Sequence, residues 1–596
     1  MDREKTEKKE IIFNGIPASP GIAFGEVFVV NVEDVPIKAE LLTDDMVDSE
    51  VNRFERALEN TAAELEKLHE VLMNEMGEDH AKILDSHSMI LADELMKSET
   101  LSMIRKKKVN AAYAFSHTVD RILITFDNIK DQYLKERAED IRDVRRRVIT
   151  NLLGQKVEGL ENLRKKAVVV AKNLTPSDTV GLKKKYVLAF VSDIGGSTSH
   201  TAIIARSQGI PAVVGLGDFS QRVKPYDEVI VDGITGQVVL HPEPSTVKLY
   251  REARKKFEEM EKELLTLKDY PAVTLDGRTI ELSGNIEIRE EVDDIISHGA
   301  RGIGLFRTEY FFITRNVLPS EEEQFRYYKD VVKRLAPDPV IIRTLDVGGD
   351  RIARWASDVK EDNPFMGWRG IRFTLSRKDI FRTQLRAIFR AAAYGKVRIM
   401  YPMISVVDEL RQANEVCDEV REDLKRERYR IGEDVEIGMM IETPSAVALS
   451  NRLAQEVDFF SIGTNDLIQY ALAVDRGNSR ISYLYDALHP SILYLIRDTV
   501  TAAHKNKIWV GVCGEMPATI HGTLLLLGLG LDEFSASSNL IPEIKKIIRS
   551  VTYDETKAIV RKALNKATAD EVRDLLDRFI IEKRPELKEF IPEKPA

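Results

Sequence analysis

Along residues 43–154 the apolar positions recur at spacings of three and four. Val47, Val51, Phe54, Leu58, Ala62, Leu65, Leu68 and Leu72 share one helical face, and Leu134, Ala138, Ile141, Val144, Val148 and Leu152 share another. With helical stretches at about 79–97 and 110–128 between them, the pattern predicts four amphipathic helices joined by short links, a bundle. Its Arg and Glu residues read as a solvated face. On either side the period changes. Residues 11–32 hold short β-prone runs such as Val27-Phe28-Val29-Val30, punctuated by Gly15, Pro17, Pro20, Gly21 and Gly25. Strands return at 167–171, 186–191, 212–214, 229–232 and 237–240, and Gly233-Ile234-Thr235-Gly236 has the length and glycines of a hairpin loop between the last two. The early strands complete this small α/β unit, which makes the bundle an insertion within it.

A charged, helix-prone stretch from about 245 to 268 comes next. Its ~24 residues, at 1.5 Å each, would span ~36 Å, a length that suits a pivot or spacer. Beyond it, short apolar strands recur at 280–285, 302–306, 340–345, 397–402, 436–441, 458–462, 509–512 and 533–535, each followed by a helical segment. Eight βα units predict a TIM barrel, whose active site lies where the strands end. The expected fold class is therefore multidomain α/β: an α-helical bundle inserted in a small α/β domain, followed by a C-terminal (β/α)8 barrel. The expected boundaries are 1–42 for an N-terminal tail and strands, 43–157 for the bundle, 158–244 for the α/β domain, 245–269 for a linker helix and 270–596 for the barrel.

Composition narrows the class. A chain of 596 residues is too long for one core and predicts three to five domains at the usual ~100 to 200 residues each. With 43% apolar and 31% charged residues it reads as a well-packed soluble protein, and its net charge of −10 argues against nucleic-acid binding. No apolar run approaches ~18 residues, and Met1-Asp2-Arg3-Glu4-Lys5 opens a mixed-charge tail without a hydrophobic signal core. The expectation is a cytoplasmic protein without membrane insertion. Cys417 and Cys513 are the two cysteines, so there is no disulfide framework and no Cys-rich zinc site.

The segment Gly195-Gly196-Ser197-Thr198-Ser199-His200-Thr201-Ala202 sets a histidine among small residues at the start of an apolar helical run. Two glycines let the backbone approach an anion closely, and the free amides and positive dipole end of the first helical turn favour a phosphate held on the His200 ring. A neutral imidazole is also a competent nucleophile near pH 7. The bland alternative is a capped helix with a surface histidine. At the barrel strand ends stand Arg307, Arg343, Glu442, Asn465, Asp466 and Cys513. The two arginines suit a bidentate grip on phosphate and carboxylate, or else buried structural ion pairs. Glu442 and Asp466, at the ends of the fifth and sixth strands, offer hard oxygen ligands that favour Mg²⁺ or Mn²⁺ over zinc. Cys513 is either an inert core thiol or, at a barrel mouth, an acid able to protonate a carbanion-like carbon.

These stretches resemble enzyme I of the bacterial phosphotransferase system. The resemblance covers almost the whole length, through Ser19-Pro20-Gly21-Ile22-Ala23, Glu136-Arg137-Ala138-Glu139-Asp140-Ile141-Arg142-Asp143-Val144 and the glycine-rich segment ending at Thr201. In the barrel it is carried by Gly304-Leu305-Phe306-Arg307-Thr308-Glu309, Arg343-Thr344-Leu345-Asp346-Val347-Gly348-Gly349-Asp350, Asn363-Pro364-Phe365-Met366-Gly367-Trp368-Arg369 and Val474-Asp475-Arg476-Gly477-Asn478. The barrel and histidine motifs also occur in pyruvate phosphate dikinase and phosphoenolpyruvate synthase. A nucleotide-dependent dikinase is thus the alternative, although bundle and His domain leave no room upstream for a nucleotide-binding domain.

The resemblance implies that His200 is phosphorylated by phosphoenolpyruvate and passes the group to the carrier protein HPr, with release of pyruvate. It implies Mg²⁺ on Glu442 and Asp466, substrate held by Arg307, Arg343, Arg369, Asn465 and Arg476, and Cys513 as proton donor to enolpyruvate. It further implies that the bundle docks HPr and that the barrel forms a homodimer. Three positions depart from the family pattern: Ser197 where arginine is frequent, Arg351 where lysine is usual, and Pro517-Ala518-Thr519 in place of Ala-Gly-Asp.

Overall fold

The computed structural model describes residues 9–30, 37–76, 83–127, 132–154, 163–172, 174, 184–195, 201–202, 205, 209–313, 317–348, 361, 363–475, 478 and 480–591. The chain forms two compact units, Met1–Glu258 and Glu259–Ala596.

The first unit is built on an eight-stranded sheet whose order runs β1-β8-β7-β3-β4-β5-β6-β2. The strands are β1 (Ile11–Asn14), β2 (Ile16–Ser19), β3 (Ile22–Val29), β4 (Ala167–Ala171), β5 (Val187–Ser192), β6 (Ala212–Val214), β7 (Glu228–Asp232) and β8 (Gln237–Leu240). The hairpin read from the glycine-flanked loop is present: β7 and β8 pair antiparallel up to Asp232 opposite Gln237. Asp232 closes the turn by accepting the amides of Ile234 and Thr235, as turn aspartates do. Both faces of the sheet are covered, with Val168 and Val170 in one core and Ala167, Val169 and Ala171 in the other, so β4 reads as an unbroken apolar run.

Between the parallel neighbours β3 and β4 the chain leaves the sheet to make the helices Val47–Met76, Ile83–Leu91, Glu94–Lys107, Ala111–Asp127 and Gln132–Leu153. They pack around Phe54, Phe115, Val119, Val144 and Val148. The stretch predicted as one helix over 79–97 is divided. Asp93 turns out of helical geometry and caps a new helix, its carboxylate accepting the Met96 amide at 2.8 Å, and that helix runs on to Lys107. Within the bundle Asp143 is buried beside Arg146 and Arg147. Burial alone would raise its pKa, but those guanidinium groups and His87 outweigh it and hold the carboxyl well below the ordinary range.

The helix Pro244–Leu265 follows β8. In the first unit its residues Val247, Tyr250 and Ala253 lie against Ile22, Ile230 and Val239; in the second, Leu264 belongs to the barrel core.

The second unit is a closed, all-parallel barrel of β9 (Glu281–Ile286), β10 (Ile303–Phe306), β11 (Val340–Arg343), β12 (Val397–Tyr401), β13 (Glu436–Ile441), β14 (Phe459–Ile462), β15 (Trp509–Val512) and β16 (Glu533–Ala536). β16 pairs back onto β9 and closes the ring. Alternate residues point inward, so that Leu305, Ile341, Met400, Met440, Phe459 and Cys513 fill the interior while the other faces pack on the helices. Among the described residues no helix is long and apolar enough to cross a membrane.

Candidate active site at the C-terminal ends of the barrel strands

The strands β11, β13, β14 and β15 each deliver a polar group at or just beyond the C-terminal end, because hydrogen bonding of the ladder stops there and the next turn begins. Arg343 is the last residue of β11, and Asp346 follows it by one turn. Glu442 directly follows β13, Asp466 lies in the first turn of the helix Thr464–Ala471 after β14, and Cys513 directly follows β15.

Arg343, Arg369, Glu442 and Asp466 come together around two carboxylates that the sequence reading did not single out. Asp346 Oδ2 lies 3.1 Å from Arg343 Nη1 and 3.0 Å from Arg369 Nη2, and Glu309 Oε2 lies 3.1 Å from Arg343 Nη2. Arg369 Nη2 also reaches Asp466 Oδ2 at 3.4 Å. Burial alone would lower the pKa of both guanidinium groups. For Arg343 the carboxylates of Glu309, Asp346 and Glu442 reverse that; for Arg369 those of Asp346, Asp466 and Glu442 do, and both stay firmly charged. Glu309 also accepts the Asp346 amide at 3.0 Å, which ties the start of the helix after β10 to the loop after β11.

The other predicted residues stand apart from this knot. Arg307, at the end of β10, donates to Glu287 Oε1 at 2.6 Å. Asn465 exchanges two hydrogen bonds with Glu515, giving one to its carboxylate at 3.0 Å and accepting one from its amide at 2.9 Å. That exchange links the first turn of the helix after β14 to the loop after β15, where Met516 and Pro517 are buried in a short 3-10 turn at one of the departures from the family pattern. His200, Arg476, Ser197 and Arg351 lie outside the described residues.

The donor set at Glu442 and Asp466 fits a hard divalent cation. Glu442 is buried, with one oxygen accepting the Met403 amide at 2.5 Å. Burial first, and then the charges of Asp466 and Asp346, push its carboxyl above the ordinary range against the opposing pull of Arg343 and Arg369. With Glu442 ionised, as holding a cation requires, Glu287, Glu309, Asp346, Glu442 and Asp466 leave two negative charges in excess of Arg307, Arg343 and Arg369. A trianionic substrate would be repelled from such a mouth unless a dication balanced it.

Cys513 is buried, and its thiol donates to the Ile462 carbonyl at 3.8 Å. Burial pushes the thiol up to about 12, so it keeps its proton at neutral pH. The second cysteine, Cys417, is likewise buried but packs behind β12 against Tyr401, away from the strand ends.

Residues 261–553 match the family described as PEP-utilising enzyme, PEP-binding domain, residues 14–137 match its N-terminal domain and residues 163–236 its mobile domain. The chain is 44% identical over 571 residues to phosphoenolpyruvate-protein phosphotransferase of Haemophilus influenzae, covering 96% of this chain and 99% of that one. To the protein of the same name from Listeria innocua it is 42% identical, covering 95% and 99%. A solved NMR structure of Enzyme I (nEIt) shares 43% identity across 41% of this chain and 99% of its own, with a TM-score of 0.35.

Proposed function

The chain belongs to the phosphoenolpyruvate-protein phosphotransferase family, and from that premise we propose that its barrel mouth binds phosphoenolpyruvate and its His200 receives the phosphoryl group. The observation that carries this reading is the knot of Arg343, Arg369, Glu442 and Asp466, with the protonated Cys513 on the next strand. It is a site with fixed positive charge for an anion, hard oxygens for a dication and an acid for the product carbon.

The member of this family transfers the phosphoryl group of phosphoenolpyruvate to protein. Arg343 and Arg369, held in orientation by Asp346, are positioned to meet the substrate's phosphate and carboxylate, with Arg307, Asn465 and Arg476 as further contacts. The His200 ring nitrogen attacks phosphorus in line; the N–P bond forms as the P–O bond to enolpyruvate breaks. Positioning and electrostatics carry most of such a step. Cys513 then gives its proton to the enolate methylene carbon, which completes pyruvate. Mg²⁺ held by Glu442 and Asp466 would neutralise charge on the phosphoryl oxygens. A phosphohistidine keeps a high transfer potential, so onward transfer to a histidine of HPr stays reversible.

HPr docking on the bundle, a homodimer through the barrel and a cytoplasmic location belong to the same reading. So do the domain limits 43–157, 158–244, 245–269 and 270–596. His200 must meet the barrel to be charged and HPr to be discharged, so the helix Pro244–Leu265 serves as the pivot. The test is incubation with labelled phosphoenolpyruvate and Mg²⁺ in the absence of nucleotide. Acid-labile label is expected on the native chain and none on His200→Gln. Label retained in that variant removes His200 as the acceptor, and a requirement for nucleotide favours the dikinase.

A further inference from the structure

A side-chain amide that the mechanism above does not use holds the backbone of Cys513. Asn285 is the fifth residue of β9, two positions beyond Ser283, which pairs in register with Ser535 of β16. β16 lies between β9 and β15, so no ladder bond passes directly from β9 to β15. Asn285 bridges them with its side chain: Nδ2 donates to the Cys513 carbonyl at 3.2 Å. The amide is itself held, since Ser535 Oγ donates to Asn285 Oδ1 at 2.5 Å. A carbonyl can only accept, so the amide must turn its nitrogen to Cys513 and its oxygen to the serine, whose hydroxyl proton completes the chain. Ser535 is fully buried, and a Cβ on Gly304 would stand 2.6 Å from its hydroxyl; the glycine keeps that room open.

Cys513 is thereby fixed on both sides. Its amide donates to the Ile462 carbonyl of β14 at 3.2 Å, and its carbonyl accepts from Asn285. Val512 opposite Phe534 is the last pairing of β15 with β16, so Cys513 stands one residue beyond that ladder, and the Asn285 amide takes the place of a strand donor. With both of its peptide planes held, the Cys513 side chain keeps one heavy-atom torsion, about Cα–Cβ, and Sγ is confined to a fixed circle. Where the thiol can reach is thus set by the backbone that Asn285 anchors. Proton transfer to carbon needs the acid in place, and a misplacement of about 1 Å can cost about a hundredfold in rate.

We propose that Asn285 is the positioning residue for proton delivery by Cys513, with Ser535 holding the Asn285 amide in place. The inference rests on the reading of Cys513 as the acid. In that step the S–H bond breaks with its electron pair left on sulfur, the π pair of the enolate forms the new C–H bond at the methylene carbon, and the enolate oxygen becomes the carbonyl of pyruvate. Asn285 gives up no proton; it fixes the peptide from which the thiol projects. Phosphoryl transfer to His200 comes before this step and relies on the arginines and the dication, so it does not depend on Asn285.

The test separates the two chemical steps in the first turnover of the full-length enzyme, with excess phosphoenolpyruvate labelled in its phosphoryl group, Mg²⁺ and HPr. Alkaline quench reads the label on protein, and stopped flow coupled to lactate dehydrogenase and NADH reads pyruvate as the ketone. In Asn285→Ala the label should appear at the native rate while pyruvate trails it by about tenfold, with KM for phosphoenolpyruvate within about twofold of native. A lag under about threefold, or label and pyruvate slowed alike, overturns the inference. Ser535→Ala, which frees the amide, should give the same lag, and it decides the matter if Asn285→Ala does not fold. Cys513→Ala separates the two readings. If its pyruvate keeps pace with the label, Cys513 is not the acid and the role of Asn285 falls with it; if it lags while Asn285→Ala does not, only the positioning role is refuted. Adding Asn285→Ala to Cys513→Ala should slow pyruvate no further, because no thiol remains to be placed; further slowing of about threefold or more would show that Asn285 acts otherwise than through Cys513.

Discussion

Asp346→Asn removes one negative charge from the centre of the site while keeping its size and one acceptor oxygen. Asp346 is the shared partner of Arg343 and Arg369, at 3.1 and 3.0 Å, and the side chains involved are 5, 8 and 10% exposed. Loss of one member of a buried ion pair costs about 3–5 kcal/mol, because the remaining charge is left desolvated. Arg343 retains Glu309 at 3.1 Å and Arg369 retains Asp466 at 3.4 Å, so the lower end, about 3 kcal/mol, applies. Unfolding entropy of about 2.1 cal/mol/K per residue gives about 0.7 kcal/mol/K for the Glu259–Ala596 unit, and the melting temperature of the barrel should fall by about 4 °C. The released guanidinium groups lose their orientation, and KM for phosphoenolpyruvate should rise about tenfold, equivalent to about 1.4 kcal/mol. Calorimetry and a substrate titration read the two effects. An unchanged melting temperature would show that the ion pairs contribute nothing to the fold. A lowered KM would show that Asp346 competes with substrate for the arginines instead of positioning them.

Two further outcomes follow from the same geometry. Because Glu533 keeps its proton in the folded chain, through burial and then the charge of Glu281, its contribution to stability is full below about pH 4.3 and is lost as pH rises toward its folded pKa. The advantage of Glu533→Gln over the native chain should therefore grow as pH rises above the ordinary carboxylate range; urea unfolding that gives a constant difference would mean Glu533 is ionised inside the barrel. A fragment ending at Lys268, which keeps the first unit and lacks the barrel, should be charged at His200 by phosphorylated HPr and not by phosphoenolpyruvate. Direct labelling of the fragment by phosphoenolpyruvate would move the substrate site out of the barrel.

The barrel was legible because its strands are buried on both sides and appear as short apolar runs separated by helical period. The eight predicted strands, from 280–285 to 533–535, fall within two residues of β9 to β16 at either end. Arg343, Glu442 and Cys513 were found for the same reason: once the strands are placed, the polar residue at each C-terminal end is the one that faces the mouth. The bundle was less legible. The run 79–97 keeps helical periodicity across Ala92 and Asp93, and nothing in that period distinguishes an aspartate on a solvated face from one that caps a new helix.

What pattern reading missed is the set of carboxylates that hold the found residues. Glu309 and Asp346 belong to motif runs quoted for their resemblance, yet each follows its strand by a few residues, where a charged side chain is ordinarily a solvated one; only the turn geometry aims them back at Arg343. Glu533 was hidden differently. As the first residue of a predicted strand it invites reading as a polar edge, and a strand-end rule looks only at the other end. The signal lay in its neighbour: a glycine at the inward position Gly511, where a barrel interior ordinarily needs a branched side chain to fill it. An inward glycine implies that a neighbour's side chain occupies its space, and register makes Glu533 the partner of Gly511.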